Sequence, residues 1–113
     1  MNVVSLSAFR PVPIVPGYSS AKAGLAALTG NLARHWVGDG IRVNAVAPGV
    51  IDTPMTAPMA SVPELLDAEL GHIPMGRFGT PAEVVGAVLF LCSAAAGYVT
   101  GHTFVVDGGY LLA

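Results

Sequence analysis

IRVNAVAPGVIDT, residues 41–53, begins with the apolar run IRVNAVA (41–47) and then turns at Pro48-Gly49. Gly-Asp-Gly (38–40) stands just before it. Strands covered on both faces read as unbroken apolar runs rather than as alternating ones. The stretch therefore reads as a strand of a parallel sheet with a Gly-Pro-marked exit at its C-terminal end. Two further runs read the same way, MNVVSL (1–6) and HTFVVD (102–107).

Between these runs lie two helical patterns. Residues 19–37 carry Ala21, Leu25, Leu28, Leu32, Ala33 and Trp36 at helical spacing, and the glycines at 38 and 40 stop them. Residues 81–95 open with Thr80-Pro81-Ala82-Glu83, an N-cap, a first-turn proline and the Glu of a capping box. The apolar VVGAVLFLCSAAA that follows predicts a helix buried on most sides, with Cys92 as a small core residue. The β-α-β-α-β order predicts three parallel strands in sequence order. Right-handed crossovers stepping one way along a sheet put both helices on one face, so one face is expected covered and the other bare. Residues 53–79 form a long Pro- and Met-rich connection, with a short helix expected within 61–70; connections of this length are functional lids or disordered.

Composition narrows the class. The 113 residues suit one small domain, 53% hydrophobic and only 11% charged, against roughly 25% charged in soluble chains. No apolar run reaches membrane-spanning length and no signal-type N-terminus is visible, so no membrane association is expected. A net charge of −2 gives no footprint for nucleic acid. The single Cys92 allows no internal disulfide, in keeping with a reducing, cytoplasmic location. His35, His72 and His102 lack metal-ligand spacing and read as surface or edge residues, so no metal site is expected.

The chemistry starts at GYSSAK, residues 17–22. Lys22 is the only lysine, and it follows Tyr18 by one helical turn on the same face. Alone, the pair also reads as a surface aromatic beside a lysine. Ser5 ends the first strand, and PGVIDT (48–53) follows the second at the same sheet edge, where open parallel sheets place their ligands. Ser5 reads equally as a hydroxyl capping local backbone, with Ser7 as a competitor.

The combination resembles the short-chain dehydrogenase/reductase family along essentially the whole chain. The matching stretches are Tyr18-x-x-x-Lys22 with a serine thirteen residues before the tyrosine, RVNAVAPGVIDTPM (43–56), GRFGTPAEVVGAVLFLCS (76–93) and YVTGHTFVVDGG (98–109). The resemblance implies an α/β fold, the C-terminal part of a doubly wound Rossmann-like parallel sheet. It implies an oxidoreductase that moves hydride between nicotinamide and a carbonyl or alcohol, with NAD or NADP as cofactor. It selects Ser5 over Ser7 and matches Ser5, Tyr18 and Lys22 to the catalytic residues. It sets Tyr18, Lys22, Pro48, Gly49, Ile51 and Thr53 near the cofactor, and makes 53–79 the lid over the substrate. A free phenol ionises near pH 10. A fixed ammonium beside it favours the phenolate, which suits Tyr18 to acid–base work.

The lid's Met55, Met59, Leu65 and Leu66 point to an apolar small-molecule substrate. Asp107 reads as turn chemistry with Gly108 and Gly109, and Arg10 borders the pocket. Gly24 and Gly30 inside the first helix call for close packing against another helix, within the chain or across the homo-oligomer interface that full-length members imply.

No Gly-rich phosphate turn of this family is present in the 113 residues, and the chain begins inside what the resemblance makes the fifth strand. It therefore reads as the C-terminal half of a reductase: a truncated product, a misassigned start or one piece of a split protein. The alternative function is a non-catalytic remnant or interaction partner lacking the dinucleotide-binding half.

Overall fold

The computed structural model describes all 113 residues. Three strands, β1 (Asn2–Val3), β2 (Ala45–Pro48) and β3 (Thr103–Val106), form a parallel sheet in the order β1-β2-β3. Helix α1 spans Pro16–Trp36 and α4 spans Pro81–Cys92. Between β2 and α4 lie α2 (Ala57–Ala60) and α3 (Pro63–Leu70). The expected order of elements and strands is borne out.

The strands are shorter than the apolar runs. Ser5 leaves β1 to cap a 3-10 turn at Leu6–Ala8. Residues 41–44 precede β2: the Val43 N–H goes to the Thr100 hydroxyl at 3.1 Å and its carbonyl accepts the Gly101 N–H at 2.7 Å, while Arg42 and Asn44 use their side chains as ties. The Arg42 guanidinium donates to the carbonyls of Leu91, Ser93 and Val99 at 3.0, 3.1 and 3.2 Å, satisfying acceptors at the end of α4. Buried Asn44 donates to Val99 O at 2.8 Å and accepts the His102 N–H at 3.0 Å, tying the entry of β2 to that of β3. Pro48, which has no N–H, is the last residue of β2, and the Gly49 N–H makes one more bond to β3, to Val106 O at 2.8 Å.

The two helices lie on opposite faces of the sheet, not on one. Leu25 and Ala26 of α1 pack against Val4, Ala45, Ala47 and Val105. Asn2, opposite Ala45 in register, donates to buried Thr29 Oγ1 at 3.0 Å on the same side. Phe104 pairs with Val46 on the other side, and Phe90 of α4 stacks edge-on against it at 6.4 Å. Both crossovers step in the same direction, so they have opposite hands, and one departs from the usual right-handed rule. The steric argument for that rule applies to a compact strand–helix–strand unit. Residues 49–80 carry the chain along the sheet edge, closed by an Ile51–Gly79 bridge, before α4 begins. That length frees α4 to take the far face.

Helix α4 starts as expected: the capping box is present, with the Thr80 N–H donating to the Glu83 carboxylate at 2.8 Å. Arg77 donates to the same carboxylate, and that bond, followed by the one from Thr80, holds the Glu83 carboxyl down at about 2. The helix is not buried on most sides. Leu91 is its one buried residue, Val85 and Leu89 are exposed, and so is Cys92. An apolar sequence marks what a helix is able to bury, and one sheet face covers only one side of it. In α1 the inward stripe is Leu25, Ala26, Thr29 and Ala33, while Leu28 and Trp36 face out. A side chain built on Gly24 or Gly30 would meet nothing within 4 Å, so the packing expected of them is not made within this chain.

Gly49 has a different reason for being glycine. A Cβ there would lie 2.6 Å from Asp107 Cα, where the exits of β2 and β3 pass. Gly49→Ala is expected to destabilise the fold by about 1–3 kcal/mol, read as a lower urea midpoint, because neither backbone yields cheaply.

Candidate functional site

Tyr18 and Lys22 share one face of α1, with the Lys22 ammonium 5.7 Å from the phenol ring centroid. Nζ donates to the carbonyl oxygen of Val3 at 2.9 Å. The ammonium is thus anchored to the C-terminal end of β1, and two of its three N–H bonds remain available. Pro16 at the first position and Gly17 behind it begin the helix nearly two turns before the lysine.

Ser5 stands two residues beyond the end of β1. Its backbone is extended, at φ −162 and ψ 158, and its Oγ accepts from the Ser7 amide at 3.2 Å and from the Ser7 hydroxyl at 3.0 Å. The two readings of Ser5 are therefore compatible, since the residue caps a turn and still faces the cavity. A hydroxyl has one proton and two lone pairs. Ser7 occupies both lone pairs, so Ser5 is left as a donor. Ser7 is buried, donates its hydroxyl to Ser5, and lines the smaller cavity beside Tyr18.

Ser5, Tyr18 and Lys22 line one cavity of about 650 Å³ together with Pro48, Gly49, Ile51 and Thr53. The residues matched to the catalytic and cofactor-binding positions all line it. Thr56 shapes the Pro48–Thr53 turn: its hydroxyl donates to Ile51 O at 2.7 Å and accepts the Thr53 N–H at 3.1 Å. Val3, Val84, Val85 and Val88 line the opposite wall of the cavity.

Other residues land elsewhere. Arg10 does not reach the cavity; its guanidinium lies 5.0 Å from the Tyr110 ring centroid and donates to the carbonyls of Tyr110 and Ala113. Asp107 is turn chemistry, accepting the N–H groups of Gly109 and Leu111 at 2.9 Å each. Of the four lid residues, Met55 and Met59 face the cavities beside Tyr18, Leu65 is exposed, and Leu66 lines a separate recess. His72 is not a surface residue: its ring packs 5.6 Å from that of Tyr110, with Nδ1 buried and unpartnered.

The family model described as "Enoyl-(Acyl carrier protein) reductase" matches residues 1–111. The chain belongs to the short-chain dehydrogenase/reductase family. Galactitol 2-dehydrogenase (L-tagatose-forming) of Cereibacter sphaeroides is 50% identical over 93 residues, which is 82% of this chain and 37% of that enzyme. A solved structure from Agrobacterium tumefaciens, described as a 2-deoxy-d-gluconate 3-dehydrogenase with bound NADP, superposes with a TM-score of 0.97 at 45% identity. It covers 99% of this chain and 46% of its own. A 4-hydroxyisoleucine dehydrogenase complexed with NADH gives a TM-score of 0.96 at 31% identity, covering 99% of this chain and 46% of its own. This short-chain dehydrogenase/reductase chain thus spans less than half the length of these relatives.

Two residues of this dehydrogenase/reductase chain escaped the sequence reading. Glu69, near the end of α3, and Tyr110, in the turn after β3, line a second cavity of about 350 Å³ next to Ser5 and Tyr18. Burial, and then the Glu69 carboxylate, push the Tyr110 phenol up from its ordinary value. Nothing local marks either residue, because their meeting depends on how the 49–80 connection folds back.

Proposed function

We propose that these 113 residues form the catalytic half of an NAD(P)-dependent oxidoreductase acting on a small-molecule alcohol or carbonyl. The observation that carries this reading is the single cavity shared by Ser5, Tyr18 and Lys22 at the C-terminal edge of the parallel sheet. NADP and NADH are the cofactors held by the structural neighbours. The donor set here fits the nicotinamide and ribose end of such a molecule. Lys22 offers two free N–H bonds to hydroxyls, and Pro48, Gly49, Ile51 and Thr53 offer a close, mostly apolar wall. Bound there, the cofactor supplies or accepts the hydride.

The remaining work belongs to the chain. Ser5 donates its one free proton to the substrate oxygen and holds it in place. Tyr18 exchanges a proton with that same oxygen. Lys22, tethered to Val3 O, holds its ammonium 5.7 Å from the centroid of the Tyr18 ring and keeps two N–H groups for the cofactor's hydroxyls. Residues 53–79 close over the substrate as a lid, with Met55 and Met59 as its apolar wall.

The test uses a fusion in which the N-terminal half of the Cereibacter sphaeroides relative precedes residues 1–113. Lys22→Ala in this fusion is expected to weaken NAD(P)H binding about 10–100-fold and to lower turnover as well, since hydrogen bonds from charged groups contribute about 1.5–3 kcal/mol. A fluorescence titration and a steady-state assay with both cofactors read the two effects. Unchanged affinity and turnover would remove Lys22 from the site.

A second reading, a non-catalytic partner that pairs its sheet with another chain, draws on the open edge of β1 and the exposure of Val3.

A further inference from the structure

We propose that Glu69 makes this site select uncharged polyhydroxy substrates over substrates carrying a carboxylate. The smaller cavity shares Ser5, Tyr18, Gly49, Met55 and Thr56 with the larger one, so it is where the part of a substrate remote from the reacting carbon would lie. Its walls are largely apolar, built by Leu6, Val12, Val15 and Met59.

The hydroxyls near the entrance are already committed. Ser7 donates to Ser5, and Thr56 donates to Ile51 O. The polar groups left at the far end are the Glu69 carboxylate and the Tyr110 phenol.

Glu69 is the one charged side chain that lines that cavity. Glu69 makes no salt bridge; the chain's salt bridge joins Arg77 and Glu83. No cation lines the smaller cavity, although the Arg10 charge acts on the Tyr110 phenol. Arg10 lies over the Tyr110 ring and donates to the C-terminal carbonyls, and Lys22 lines only the larger cavity. An ionised carboxylate accepts hydrogen bonds and donates none. It therefore takes a substrate hydroxyl well, and it repels a substrate carboxylate that brings no cation with it. The Met and Val walls add contact with the carbon chain but no compensating charge.

This inference rests on the oxidoreductase reading for the cavity's role, but its test does not require turnover. D-sorbitol and D-gluconate differ at one end, a hydroxymethyl group against a carboxylate. Their dissociation constants for the fusion protein are measured by saturation-transfer NMR near neutral pH, with residues 1–113 carrying the wild-type sequence, Glu69→Gln or Glu69→Lys. Sorbitol is expected to bind about tenfold or more tighter than gluconate, the scale of a hydrogen bond to a charged acceptor. The ratio should fall toward one in Glu69→Gln and invert in Glu69→Lys. A merely structural glutamate would change both ligands together and leave the ratio alone.

Equal or tighter binding of gluconate by the wild type overturns the proposal, as does failure to bind either ligand. So does an unchanged ratio in a folded Glu69→Gln. Should that variant fail to fold, the wild-type ratio still decides. Failure of the oxidoreductase reading would show separately, as a fusion that binds sorbitol selectively yet transfers no hydride.

Discussion

Phe in place of Tyr18 is expected to lower the turnover of the fusion enzyme by about 10²–10⁴-fold, the usual worth of a positioned acid–base group, while leaving NAD(P)H affinity nearly unchanged. The substitution removes one oxygen and keeps the ring. The ring's contact with the Lys22 ammonium, at 5.7 Å, survives, and so does the bond from Lys22 to Val3 O. Ser5 keeps its donor geometry, because that is set by Ser7. What is lost is the hydroxyl proposed to exchange a proton with the substrate oxygen. Single-turnover measurements separate this from slow product release. A Tyr18→Phe enzyme that retained most of its turnover would refute the catalytic assignment, and Ser5 would then be the next candidate for the proton.

The 113-residue chain produced by itself is expected to elute from a sizing column as oligomers or aggregates and to show no dehydrogenase turnover with either nicotinamide cofactor. The outer edge of β1 is unpaired, which invites pairing with other strands. Val3 is 55% exposed and Leu89 65%, and both are large apolar side chains. Only 15 of the 113 residues are buried, and the radius of gyration is 15.1 Å. A compact domain of this length has about 13 Å. So open a body leaves little margin between burial and chain entropy.

The ligand side points the same way. A pyrophosphate is held by free N–H groups at a helix N-terminus. Here α1 begins with Pro16, which has no N–H, and the first turn of α4 is closed by its own Glu83 carboxylate. A monomer that bound NAD(P)H at micromolar levels would contradict this expectation and require a phosphate site built from other residues.

Much of the architecture is readable from the chain alone. Parallel strands in sequence order follow from three apolar runs separated by two helical patterns. The start of α4 follows from Thr80, Pro81 and Glu83, and the turn after β3 from Asp107-Gly108-Gly109. The Tyr18–Lys22 pair and its nearness to Pro48–Thr53 follow from helical spacing and from strand ends that share one edge. The helix start, the turn and the Tyr18–Lys22 spacing are short-range, satisfied by residues a few positions apart, while the strand order follows from general rules of parallel sheets. Tertiary structure decided what depends on distant residues. It put α4 on the far face of the sheet, because the long 49–80 connection released it from the usual handedness. It turned Arg42 and Asn44 from strand residues into ties between β2, the end of α4 and the entry of β3. It left Val85, Leu89 and Cys92 exposed, because a single sheet covers one side of an apolar helix. It also brought Glu69 and Tyr110 beside Ser5 and Tyr18, a meeting of residues from four parts of the chain that only the folded backbone specifies.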